Sequence, residues 1–247
     1  MSEDSENGAA PNLVGATTKA ELISKENMLV ARRMAELDAE PIQGNFDYAH
    51  LQAIHRHLFQ DVYEWAGQER TTPAVKYEAV LGGALSGYAE PEDIRETFEE
   101  GLATLRDLQM TDLRDPEQAA QFAQGFRRVW EAHPFPDGNT RSTTMFIEHL
   151  ATERGQQLEF QGKEDGSLRN ALVYHWYDSD EYAGPLETRV QQARDVALRN
   201  EAVRDQNQDA LQRVDPDVSP PETPSPARDP EPDRGQEDEP PESEFEP

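Results

Sequence analysis

The sequence predicts an all-α domain with one small β-hairpin flap and a disordered C-terminal tail. Three observations carry that expectation. Apolar residues recur at steps of three and four through most of the first 205 positions. Residues 71–90 break the pattern with three glycines and no helical stripe. Val214–Pro247 holds 12 acidic residues, two arginines and ten of the chain's 18 prolines, too little apolar surface to offset the entropy of ordering. The expected organisation is a disordered N-terminus over 1–11, one domain over 12–205, and an acidic, proline-rich tail over 206–247.

The elements follow in order. A first helix within Asn12–Glu40 opens on Thr17-Thr18-Lys19-Ala20-Glu21, a capping cluster, and carries Leu22, Met28 or Leu29, and Met34 or Leu37 before Pro41 and Gly44 end it. A second starts at Asp47, runs through Leu51, Ile54, Leu58, Val62 and Trp65, and closes at Gly67. Val75, Tyr77, Val80, Leu81 and Tyr88 belong to the extended flap. Pro91, Glu92 and Asp93 suit a helix start, and Ile94, Phe98, Leu102, Leu105 and Leu108 supply its stripe. After Asp115-Pro116 a helix from Glu117 bears Phe122, Phe126, Val129 and Trp130; it stops near His133, because Pro134 disfavours the α region there. Another runs from Asn139 to about Gly155, and Ser167–Tyr177 and Glu181–Arg204 complete the set. Trp65, Trp130 and Trp176 read as core.

Composition excludes several functions. The chain has no cysteine, so disulfide and thiolate chemistry are absent. No apolar run is long enough to span a membrane, and the acidic start does not resemble an export signal, so a cytoplasmic location is expected. Of the net charge of −27, the tail carries −10; the remainder still disfavours nucleic acid and anionic lipid. His50, His55 and His57 suggest zinc, but 50 and 57 lie two turns apart and 55 and 57 face different ways, so at most two could share a metal.

Residues 133–141 read His-Pro-Phe-Pro-Asp-Gly-Asn-Thr-Arg, between two amphipathic stretches. Gly138 and Asn139 tolerate left-handed angles, so backbone N–H groups can converge on an anion at a helix N-terminus. Arg141 can fork two bonds to phosphate oxygens, and Asp137 suits Mg²⁺, which needs only one or two carboxylates. His133 is left as the general base, neutral at pH 7 with an ordinary pKa near ~6.5.

This nonapeptide resembles the His-x-Phe-x-(Asp/Glu)-Gly-Asn-Gly-Arg-x-x-Arg signature of Fic-domain (Fic/DOC) proteins. Leu51–Gly67, followed by Arg70-Thr71, resembles the helix that precedes the flap in that family. The resemblance implies a Fic-like helical bundle and a protein adenylyltransferase that moves AMP from ATP to a Ser, Thr or Tyr hydroxyl, releasing pyrophosphate. By the same resemblance His133 is the base and Asp137 the Mg²⁺ ligand. Gly138, Asn139 and Thr140 form the phosphate nest, Arg141 steadies phosphate charge, and Phe135 anchors the loop within the nucleotide-binding set. The flap at 72–90 lines up the protein target by backbone pairing.

Two positions depart from the signature. Thr140 stands where glycine is usual, and Thr144 replaces the second arginine, which in the family contacts the terminal phosphate and for which Arg169 is the expected substitute. The departures keep two alternatives open: a Fic-fold phosphotransferase or other-nucleotide transferase, and a non-catalytic binding module of a toxin–antitoxin or effector system. Ser2–Asn7 fits the (Ser/Thr)-x-x-x-Glu-(Gly/Asn) string of autoinhibited Fic proteins but reads as a chance match, since Thr144 cannot bridge to its glutamate. An inhibitor supplied as a separate protein is compatible with the sequence.

Overall fold

A computed structural model describes residues 8–160, 167–177 and 179–212, with the side chains of 176, 179–185 and 209–212 outside that description. The Ser2–Asn7 string, the Trp176 side chain and the tail beyond residue 212 therefore lie outside the described residues. Contacts divide the chain between Asp205 and Gln206; the account below concerns the first unit.

Among the described residues, seven α-helices and one hairpin form in the order α1 (Lys19–Ala39), α2 (Tyr48–Phe59), β1 (Val75–Glu78), β2 (Ala84–Gly87), α3 (Ile94–Asp107), α4 (Pro116–Ala132), α5 (Asn139–Glu153), α6 (Ser167–Tyr177) and α7 (Ser179–Gln212). The caps are those the sequence offers. Thr18 accepts from the Glu21 N–H, Asp47 from His50, and Asp115 from both Glu117 and Gln118, with Pro116 in the first turn of α4. The α3 stripe of Ile94, Phe98, Leu102 and Leu105 is fully buried against α4. That approach is close because Gly101 faces α4: a Cβ there would lie 2.5 Å from the Val129 nitrogen. α2 packs on α1 and α5, and α5 and α6 pack on α4.

Several expectations need correction. Of the alternatives Met28 or Leu29, Met28 is 67% exposed and Leu29 packs against the core, while Val30 joins Leu22, Met34 and Leu37 on the buried face of α1. α2 ends at Phe59 rather than running to Gly67; Val62 is buried as expected, but in a turn whose N–H donates to Phe59. The chain must reverse here, since Gly67 at φ 78° returns its N–H to His55 on α2. α7 extends beyond the expected Glu181–Arg204. Trp130 is buried, whereas Trp65 only packs against the core from its edge.

The flap is an antiparallel hairpin pairing Val75 with Gly87, Lys76 with Ser86, Tyr77 with Leu85 and Glu78 with Ala84. Alternation splits it into two faces. Val75, Tyr77 and Leu85 point outward at 56%, 78% and 54% exposure, while Glu78 and Ser86 are buried on the other side. No helix among the described residues is long and apolar enough to cross a membrane.

Candidate functional site

His133 ends α4 in a left-handed conformation, φ 42° and ψ 56°, with its N–H donating to Trp130. That turn throws its ring into a sandwich of aromatic groups. Tyr88 stacks on it at 3.6 Å between centroids, and Trp130 meets it edge-on at 5.6 Å. The imidazole is buried, yet neither ring nitrogen has a hydrogen-bond partner among the described residues. An unsatisfied buried group of this kind is costly in a folded protein. Burial, then the charges of Lys76, Arg169 and Arg70, hold its pKa well below the ordinary value.

The loop after His133 is braced from within. The Asn139 side chain closes a two-way clamp on Phe135, accepting its N–H at 2.8 Å and donating to its carbonyl at 2.7 Å. Phe135 is fully buried beneath the loop and stacks on His55 at 3.8 Å. Asp137 accepts the Gly138 N–H through Oδ1 at 2.6 Å. Gly138 has φ 76°, and a Cβ there would lie 2.3 Å from Phe59, so glycine is required twice over. Thr140, in the usual glycine position, accepts from the Trp130 indole N–H at 3.0 Å.

Arg141 extends over the Phe59 ring at 4.8 Å and pairs with Glu26 of α1 at 2.5 Å; Tyr63 donates its hydroxyl to the same glutamate. Arg169 of α6 forks onto both oxygens of Glu78 at 2.6 and 2.8 Å and donates to the Tyr88 hydroxyl at 3.1 Å. Together His133, Asp137, Gly138, Asn139, Thr140, Arg141 and Arg169 line one cavity of about 550 Å³. Of the sequence-derived set only Phe135 is absent from its wall. Thr144 is fully buried in α5 with its hydroxyl unpartnered among the described residues, and does not line the cavity either.

The arrangement is a buried imidazole beside a helix N-terminus whose N–H groups and flanking cations suit phosphate. A family model described as Fic/DOC matches residues 45–151, the span from just before α2 to the third-last residue of α5. Residues 45–151 match as a Fic/DOC domain.

Two curated relatives point the same way. Protein adenylyltransferase VbhT of Bartonella schoenbuchensis is 29% identical over 214 residues, covering 87% of this chain and 44% of the relative. A protein adenylyltransferase of Bartonella henselae is 32% identical over 141 residues, covering 53% of this chain and 26% of the relative. The chain thus spans less than half the length of either. Among solved structures, the BepC protein of Bartonella tribocorum with bound AMPPNP superposes at a TM-score of 0.61 with 24% identity, over 76% of this chain and 92% of the other, and shows the fold. The N-terminal Fic domain of a VirB-translocated Bep effector protein of Bartonella quintana, with bound ADP, gives 0.59 and 25% over the same shares.

The structure also brings to the site residues that sequence reasoning missed. One wall of the cavity is α1, through Ile23, Asn27, Val30, Ala31 and Met34, and Lys76 of β1 lines another side. Arg70, buried just before the flap, donates to the carbonyl oxygens of His133 at 2.7 Å, Thr72 at 2.7 Å and Ala89, clamping the flap base to the loop. The adjacency of Arg70 to the flap was a usable signal. The helical stripe of α1 was not, because a cavity wall and a core face have the same periodicity.

Proposed function

We propose that this Fic domain transfers AMP from ATP to a Ser, Thr or Tyr hydroxyl of a target protein. The observation that carries the reading is His133: a buried imidazole with two unpartnered nitrogens at the wall of a cavity floored by the Asp137–Arg141 loop. With its pKa below the ordinary value, the ring is neutral at pH 7 and can take the hydroxyl proton. The hydroxyl oxygen then bonds to the α-phosphorus, the bond from that phosphorus to the α,β-bridging oxygen breaks, and pyrophosphate leaves. Positioning and charge stabilisation supply most of the acceleration in such transfers.

In this reading Gly138, Asn139 and Thr140 present the helix N-terminus to phosphate, Arg141 and Arg169 flank it, and Phe135 supports the loop from below. Asp137 would hold Mg²⁺. Its carboxylate lines the cavity with only one oxygen engaged in a hydrogen bond among the described residues, and Mg²⁺ bound largely through nucleotide and water needs no more. When bound, the cation neutralises phosphate charge. The target segment docks along the flap at 72–90, where each strand of the two-stranded sheet has an edge without a strand partner among the described residues.

The test incubates the full chain with Mg²⁺, cell lysate and ATP labelled on either the α- or the γ-phosphate, beside His133→Ala. Protein label from the α-phosphate alone, abolished in a variant that remains folded, is expected. Label from the γ-phosphate would replace adenylyl with phosphoryl transfer, the alternative that Thr144 raises. Undiminished label in the variant would remove His133 from the reaction.

A further inference from the structure

We propose that Lys76, on β1 of the flap, is the cation that receives the terminal phosphates of the bound nucleotide. The inference rests on the nucleotide-transfer reading above and starts from an inventory of charge. Three basic side chains line the cavity: Lys76, Arg141 and Arg169. Two of them already have a carboxylate. Arg141 is paired with Glu26, and Arg169 gives both outer nitrogens to Glu78. A polyphosphate approaching either meets a charge that is already largely answered.

Lys76 differs. Its ammonium makes no ion pair or hydrogen bond among the described residues. The charges it does feel are mixed, with Arg169 opposing and Asp137 and Glu78 favouring its protonated form. Its own charge is the second cause of the lowered His133 pKa, after burial, so the ammonium lies within electrostatic reach of the base. Strand alternation explains the placement. Lys76 shares a face with Glu78, which binds Arg169, while Val75 and Tyr77 point the other way.

At the position of the missing second arginine, α5 offers no competing donor. One turn beyond Arg141, Thr144 is sealed in the core and does not reach the cavity. The helix N-terminus can hold one phosphate through backbone N–H groups, but further anionic oxygens call for a mobile cation with several donors, which an ammonium on a four-carbon stem provides. Phosphate recognition is then divided between the α5 loop and the flap. Because the flap strand is also the proposed target edge, the nucleotide would order the surface on which the target docks.

The experiment measures Mg²⁺-dependent binding of ATP, ADP and AMP by calorimetry to the full chain, to Lys76→Met and to Lys76→Arg. The expected result is a loss of ATP affinity of roughly 10- to 100-fold in Lys76→Met. AMP affinity should stay within about two-fold, and the arginine variant should keep the preference for ATP. Unchanged ATP affinity in Lys76→Met, equal losses for ATP and AMP, or a wild-type protein that does not prefer ATP over AMP would each overturn the assignment. The transfer reading fails separately: a chain that prefers ATP through Lys76 yet labels no protein refutes transfer and leaves Lys76 in place. Lys76 is exposed and unpaired among the described residues, so both variants are expected to melt with the wild type.

Discussion

His55 joins two distant segments: its Nδ1 accepts the N–H of Gly67 at 2.9 Å, and its Nε2 donates to the carbonyl oxygen of Asp137 at 3.0 Å. The first bond fixes the second, since a ring nitrogen that accepts an N–H carries no proton and the other must carry it. The ring lies between Phe135 at 3.8 Å and Phe59 at 4.6 Å. A residue of α2 therefore holds the loop that carries the proposed metal ligand.

Replacing His55 by leucine keeps volume and removes both bonds. The buried Gly67 N–H and the Asp137 carbonyl are left without partners, and each unmet group costs about 1–3 kcal/mol. The expected loss is about 2–4 kcal/mol in urea unfolding, with transfer reduced by about ten-fold or more as Asp137 loses its tether. A variant as stable as the wild type would show that the loop does not depend on this contact.

Neutrality of His55 makes stability depend on pH. Burial is the chief cause that brings its pKa down to about 4, and the hydrogen bond to Asp137 works against it. Below about 6.5 the unfolded chain takes up a proton that the folded chain refuses until about pH 4, so stability is full above that window and falls with pH through it. From pH 7 to pH 5 His55 should remove about 2 kcal/mol. His50 and His175, also lowered chiefly by burial, act in the same direction. Urea unfolding at the two pH values without Mg²⁺ checks this, and His55→Leu should show the smaller pH dependence; equal dependence would contradict it.

The helix stripes were legible because burial at regular spacing writes itself into local sequence, as Ile94, Phe98, Leu102 and Leu105 do. The loop was legible because its chemistry is contiguous, from His133 to Arg141. The same periodicity misled where a chain reversal keeps the spacing: Val62 sits at a helical step from Leu58 yet is buried in a turn. Long-range partners left no local trace. His55 and Asp137 are 82 residues apart, and Glu26 and Arg141 are 115 apart. Thr140 looked like a departure from a glycine position and proves to be the acceptor for Trp130, a role set by a helix packed alongside.

Gly138→Ala tests the loop from the other side. The new methyl would lie 2.3 Å from Phe59 at a backbone angle of φ 76°, so both strain and overlap arise. A loss of roughly 2–4 kcal/mol is expected. Adding Phe59→Leu should recover part of the overlap but none of the backbone strain, at the expense of the surface over which Arg141 lies. Thermal melts of the single and double variants check it; identical melts would mean that the ring yields without cost.

Arg70 should prove a second sensitive position outside the cavity. Its guanidinium is buried and meets three carbonyl oxygens, of His133, Thr72 and Ala89, so one planar fork ties the base to both ends of the flap. Lysine keeps the charge but is a point donor on a flexible stem and cannot reproduce three fixed directions. Arg70→Lys would leave at least one buried carbonyl unmet, with an expected loss of about 1–3 kcal/mol. The loss should be localised: amide exchange should accelerate across 72–90 while the α3 and α4 cores stay protected. Because Arg70 is also a cause of the lowered His133 pKa through its charge, retaining that charge should leave the acid limit of transfer unmoved, whereas Arg70→Gln should shift it up in pH. Uniform acceleration of exchange throughout the domain would instead make Arg70 a general core residue rather than the hinge pin of the flap.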